Sequence, residues 1–160
     1  MLNTVANREA LETLDYEHHW NGLSTPMKEN AHDLSSQEKV EKIKANFKEI
    51  METLGMDLND ESLQDTPNRV AKMFVNEVFK GLNPENKPEI KLFSNKYKYK
   101  EMLVERDITV YSYCEHHFVP IIGKAHVAYV SNGNVIGLSK INRLVVYYAK
   151  PPQVQERLNE

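Results

Sequence analysis

The sequence predicts an α+β fold. The first half carries stretches whose apolar residues recur at helical spacing. The middle carries β-branched and aromatic runs separated by turn signals. A strongly apolar helical stretch then opens at Gly137. Helices therefore precede and follow a group of strands. The chain divides into an N-terminal arm at 1–34, a helical region at 35–89 and a mixed region at 90–160.

The arm shows no sustained period. Arg8 to Leu14 fits a short helix, and His18-His19-Trp20 is an aromatic cluster before the turn signals Asn21-Gly22 and Ser24-Thr25-Pro26. His18 and His19 are conceivable metal ligands, although histidines on such an arm are more often solvated. The arm is expected to pack on a partner or stay loose. Ser35-Ser36-Gln37-Glu38 fits a capping box. Val40, Ile43, Phe47, Ile50, Met51 and Leu54 follow at helical spacing, and Gly55 ends the helix. After an acidic connector, Thr66 reads as a cap and Pro67 as the first helical residue. Val70, Phe74 and Val78 form one stripe and Ala71, Val75 and Phe79 the next, with Gly81 closing the helix. Arg69 and Lys72 project from the polar side, where basic residues ordinarily face water.

Asn83 to Pro88 reads as loop and Ile90 to Phe93 as strand. Lys96-Tyr97-Lys98-Tyr99-Lys100 alternates like an edge strand with its lysines outward. The same interleaving also suits single-stranded nucleic acid, on only five residues. Strands are expected at Val104–Tyr113 and Ala125–Val130, with a turn near Gly123 and a tight turn at Asn132-Gly133. The helix from Gly137 should be well buried through Leu144, Val145, Tyr147, Tyr148 and Ala149. Pro151-Pro152 interrupts it, and Gln153 to Leu158 starts a new helical turn.

Composition narrows the function. The 160 residues suit one ordinary domain, and a formal charge of -3 gives no broad nucleic-acid-binding surface. No apolar run approaches the ~18 residues of a spanning helix, and the N-terminus lacks a signal-peptide pattern, so no membrane partner is expected. A single cysteine forms no internal disulfide, which suits a reducing, cytoplasmic setting.

That cysteine opens Cys114-Glu115-His116-His117. Cys114 and His117 stand in a C-x-x-H spacing, and thiolate and imidazole suit zinc. The alternative is a small buried hydrophobe beside a polar loop. Two ligands do not hold a metal, so another must come from elsewhere. His126 is the nearest further histidine, but in a hairpin turning near Gly123 it falls ~10 Å from His117.

Four segments in order carry a larger resemblance. They are Asp65-Thr66-Pro67-Asn68-Arg69-Val70-Ala71-Lys72-Met73, Cys114-Glu115-His116-His117, Gly137-Leu138-Ser139-Lys140-Ile141-Asn142-Arg143 and Pro152-Gln153-Val154-Gln155-Glu156-Arg157-Leu158. Over residues 36 to 158 the chain closely resembles GTP cyclohydrolase I of the zinc-dependent type. The resemblance implies a tunnelling fold, an antiparallel sheet with helices on one face. It also implies pentamers stacked into a homodecamer, with active sites between subunits. Cys114 and His117 match zinc ligands, and His116 a histidine beside the reacting ring. Glu156, with Gln155, matches the guanine-recognition element. Ser139, Lys140 and Arg143, with Arg69 and Lys72, match residues that hold ribose and triphosphate.

The implied reaction is hydrolysis of GTP to 7,8-dihydroneopterin triphosphate and formate, the first step of tetrahydrofolate and pterin synthesis. Pro151 departs from the pattern, since the family usually has arginine there. The family also continues past Leu158 with the rest of the helix, two strands, a third zinc ligand and a triphosphate-binding arginine. The expectation is therefore a C-terminally shortened chain whose last two strands are missing, which alone binds zinc weakly or not at all and lacks formate release. A non-catalytic relative that binds guanine nucleotide or assembles with complete subunits is the alternative. A nitrile reductase acting on a deazaguanine is a further reading, against which the Cys-Glu-His-His run argues.

Overall fold

The computed structural model describes residues 25–158, and the expectations for Arg8–Leu14, His18 and His19 lie outside them. Helix α1 spans Ser36–Thr53. Ser35 caps it as expected: its Oγ accepts from the Glu38 amide at 3.3 Å, while the Glu38 carboxylate accepts from the Ser35 amide at 2.8 Å. Gly55, at φ +80, supplies the left-handed residue that ends it. Val40 and Met51 are the buried residues of its inner face.

Helix α2 spans Thr66–Met73, with Asp65 rather than Thr66 at the cap position. Thr66 is thus inside the helix, and its hydroxyl accepts from Arg69 instead. A π-helical turn at Phe74–Val78 follows, in which the Phe79 amide donates to the Phe74 carbonyl. Gly81 sits in a 3-10 turn at Lys80–Leu82 and is buried. A Cβ there would lie 2.6 Å from Pro151 Cδ and 2.7 Å from the Tyr147 carbonyl oxygen. Gly81 therefore serves close approach of two backbones rather than closing the helix, which gives way to the π turn at Phe74.

The strands form separate sheets. In the smaller, β1 (Leu92–Ser94) pairs antiparallel with β4 (Asn134–Ile136). The larger has the order β3-β2-β5, with β2 at Met102–Cys114, β3 at Pro120–Val130 and β5 at Pro152–Gln153. Strands β2 and β3 are a long antiparallel hairpin. Its turn lies at Glu115–Val119, not at Gly123, which is a strand residue opposite Val110. Lys96–Lys100 is a turn rather than an edge strand. The Asn95 side-chain amide donates to the Tyr99 carbonyl and accepts from its amide, and this local pairing outcompetes a ladder.

A bulge interrupts the hairpin, where the register shifts between Glu105 and Ile108. Asp107 takes φ +62, and its amide donates to His126 Nδ1 at 3.2 Å. The extra residue flips the alternation of β2, so that Ile108, Val110 and Ser112 turn inward. They face α3 (Leu138–Ala149), which packs on β2 through its buried Ile141 and Ala149. The remainder of α3 is less buried than its composition suggests: Val146 and Tyr148 are exposed. Between β2 and α3 the core is thus a narrow seam, with Val40, Met51 and Ala71 buried on α1 and α2, and each large apolar side chain contributes about 1.5–3 kcal/mol.

Candidate functional site

Cys114 is the last residue of β2. From there the backbone closes a compact loop: the Phe118 amide donates to the Cys114 carbonyl at 2.8 Å, and the Cys114 amide to the Val119 carbonyl at 2.9 Å. Phe118 holds φ +53, an unfavourable conformation for a non-glycine residue. Aromatic packing braces the loop. The Phe118 ring lies 5.3 Å from Phe79, which contacts Tyr113 at 5.4 Å and Phe74 at 5.1 Å. The π turn decides where Phe79 falls, and so couples α2 to the loop.

Within the loop, Cys114 Sγ lies 3.8 Å from His117 Nδ1. Two atoms bound to one tetrahedral zinc at ordinary lengths would be ~3.6 Å apart, so this pair fits one metal ion. The contact with His117, then the backbone amides of His116 and His117, holds the Cys114 thiol below its usual pKa. His116 and His117 are both exposed, with rings 6.3 Å apart and nearly perpendicular. Among the described residues, no group of three or more His, Cys, Asp or Glu could hold a metal. His126 lies at the bulge, far down the hairpin; at ~3.3 Å per residue the separation from Cys114 is ~23 Å.

The chain returns to the loop through β5. Tyr113 pairs with Pro152 and Cys114 with Gln153, in parallel, and the Glu115 amide donates to the Gln153 carbonyl at 3.1 Å. Gln153 is buried, and its amide donates to the Tyr148 carbonyl, tying the end of α3 to the sheet. This register carries Gln155 and Glu156, both exposed, past the Cys114 loop on the one-turn helix α4 (Gln155–Leu158). Arg157 turns inward and forms an ion pair with Glu115, Nη1 to Oε2 at 2.5 Å and Nη2 to Oε1 at 3.5 Å.

The basic residues stand on other elements. Ser139 and Arg143 are exposed on the first half of α3, with Lys140 half-buried between them. Arg69 and Lys72 are exposed on α2. The Arg69 guanidinium donates to the Ser62 carbonyl and the Thr66 hydroxyl, and lies 3.7 Å from the Asp65 carboxylate. The sheet therefore brings the segment that leads into Gln155 and Glu156 alongside Cys114, while Arg69 is engaged with its own connector. Sequence reasoning missed Glu115, Gln153 and Arg157. Glu115 opens the turn that follows β2, and no local pattern identifies its partner 42 residues away.

Fold and loop define a class: an α+β protein that presents a thiol–imidazole pair at a hairpin end, beside a carboxylate-bearing helical turn. The sequence profile of the family described as GTP cyclohydrolase I matches residues 43–160. The chain is 58% identical over 154 residues to "GTP cyclohydrolase 1" of Flavobacterium johnsoniae, covering 96% of this chain and 69% of that protein. The same-named protein of Aeromonas salmonicida is 55% identical over 139 residues, with 87% and 63% covered. That of Aeromonas hydrophila is 55% identical over 160 residues, with 98% and 71% covered. The chain belongs to the GTP cyclohydrolase I family, and spans roughly two thirds of the length of these relatives. Among the described residues, no helix is long and apolar enough to cross a membrane.

Proposed function

We propose that this chain acts in the zinc-dependent hydrolysis of GTP to 7,8-dihydroneopterin triphosphate and formate. The observation that carries this reading is the Cys114–His117 pair at 3.8 Å, and it is supported by the pairing of Gln153, three residues before Glu156, with Cys114. Cys114 and His117 would supply two ligands to zinc, with a third from outside the described residues, and the metal would supply Lewis acidity and hydroxide at neutral pH. The depressed thiol pKa favours the thiolate that a metal requires.

The chain's own residues bind and orient the nucleotide. Glu156, with Gln155 adjacent, accepts hydrogen bonds from guanine N1–H and the 2-amino group, a charge-assisted pair that adenine does not offer. Ser139, Lys140 and Arg143, with Arg69 and Lys72, hold ribose and triphosphate by charge and hydrogen bonding. His116 protonates the purine ring nitrogen as one water adds at C8 and opens the ring to a formamide; a second water cleaves the remaining C8–N bond and releases C8 as formate, and one water is returned when the pterin ring closes. The ribose then rearranges into the pterin ring.

The same reading assigns a tunnelling fold to residues 90–160, a helical region to 35–89 and an arm to 1–34. Its homodecamer of pentamers is supported by the apolar residues that the long hairpin leaves exposed, among them Met102, Val104, Ile122 and Val130, and by the edge of β3, which is unpaired among the described residues. Basic residues on α2 then serve a neighbouring subunit's loop. A cytoplasmic setting is supported by the unbridged Cys114 thiol.

Glu156→Gln replaces a pair of acceptors by one acceptor and one donor. GTP affinity should fall at least about tenfold, with zinc content unchanged. Titration and metal analysis after dialysis check both, and formate release reports turnover. Unchanged GTP affinity would overturn the role of Glu156. Nucleotide binding without formate release would favour the non-catalytic alternative.

A further inference from the structure

We infer that Glu115 and Arg157 are positioning residues, whose ion pair sets the Glu156 carboxylate against the Cys114–His117 loop. The inference rests on the reading that Glu156 recognises guanine, and concerns how that carboxylate is held.

Helix α4 is one turn long and has little stability of its own. Its approach, β5, pairs with β2 through Pro152 and Gln153 alone. Orientation of Glu156 therefore depends on side-chain tethers. Arg157 follows Glu156 directly, and successive helical residues point about 100° apart. With Arg157 drawn inward, its side chain 2% exposed, Glu156 is turned outward. At the other end Glu115 lies between Cys114 and His116, and its amide donates to Gln153. One carboxylate thus ties the proposed metal loop to the proposed guanine-binding turn.

The chemistry of the pair suits alignment. A guanidinium meeting a carboxylate through two nitrogens fixes distance and plane together. Burying two charges is costly and a weak source of net stability. Geometry is what such a pair supplies.

The experiment uses the native protein at the full length of its relatives, loaded with zinc, and compares GTP with ITP, which lacks the 2-amino group. Arg157→Met, Arg157→Lys, Glu115→Gln and Glu156→Gln are measured for Kd of both nucleotides, kcat/KM and zinc content. Discrimination between GTP and ITP should fall about tenfold or more in Arg157→Met and Glu115→Gln, with zinc retained. Arg157→Lys keeps the charge but not the fork, and should recover part of it. A general loss of stability would weaken both nucleotides alike and leave the ratio unmoved. Should Arg157→Met fail to fold, the Lys and Gln variants carry the test. Folded variants that discriminate like the unsubstituted protein, while Glu156→Gln does not, would overturn the clamp alone. If Glu156→Gln also leaves the ratio unchanged, the guanine-recognition reading itself fails.

Discussion

The start of α1 and the loop after β2 use the same spacing for different ends. Ser35 and Glu38 are three residues apart, as are Cys114 and His117. In both places a side chain accepts from backbone amides that follow it. At α1 the exchange is closed: Ser35 and Glu38 satisfy each other's amides, and the result is a helix start exposed to water. At the hairpin it stays open. The thiol and imidazole face each other with capacity for a ligand, and the loop is backed by Phe79, β5 and the Glu115–Arg157 pair. A local motif becomes a site when non-local structure holds it in place without consuming its donors.

The sharpest way to break this contrast is Gly81→Ala. Its Cβ would meet Pro151 and the Tyr147 carbonyl, and neither is the flexible end of a side chain. The junction that feeds β5 would have to move. Destabilisation of about 2–3 kcal/mol is expected, read from the urea midpoint. No loss would show that the junction relaxes without cost.

Ser35→Ala tests the closed side. Loss of the cap should cost about 1 kcal/mol and leave the Cys114 loop untouched, checked by denaturation together with thiol reactivity. An effect on the loop would mean that α1 and the site are not independent.

The smallest effect concerns protonation of Cys114. Its depressed pKa means that in metal-free protein the thiolate persists to lower pH than in free cysteine, whose pKa is about 8.5. The associated stability is complete above the unfolded value and is lost as pH falls through the folded one. The pH midpoint of alkylation should therefore lie below that of free cysteine, and rise in His117→Ala, which removes the leading cause. An unshifted midpoint in His117→Ala would show the pair to be incidental.

The elements legible in the sequence are those set by near neighbours. The capping box at Ser35, the end at Gly55, the interruption at Pro151-Pro152 and the helix from Gly137 all lie where the chain places them. The expected turn at Gly123 failed because glycine is also tolerated in a strand, and the actual turn contains no glycine. The expected strand at Lys96–Lys100 failed because the Asn95 side chain captured Tyr99.

By itself the sequence determined the α+β order, the Cys-x-x-His spacing and the family, since each resides in residue types and short separations. Only the tertiary structure decided that Cys114 and His117 face one another and that Gln153 pairs beside them. It alone revealed the partnership of Glu115 and Arg157. Those relations join segments tens of residues apart, and their energy comes from packing, burial and paired charge, which no local pattern encodes.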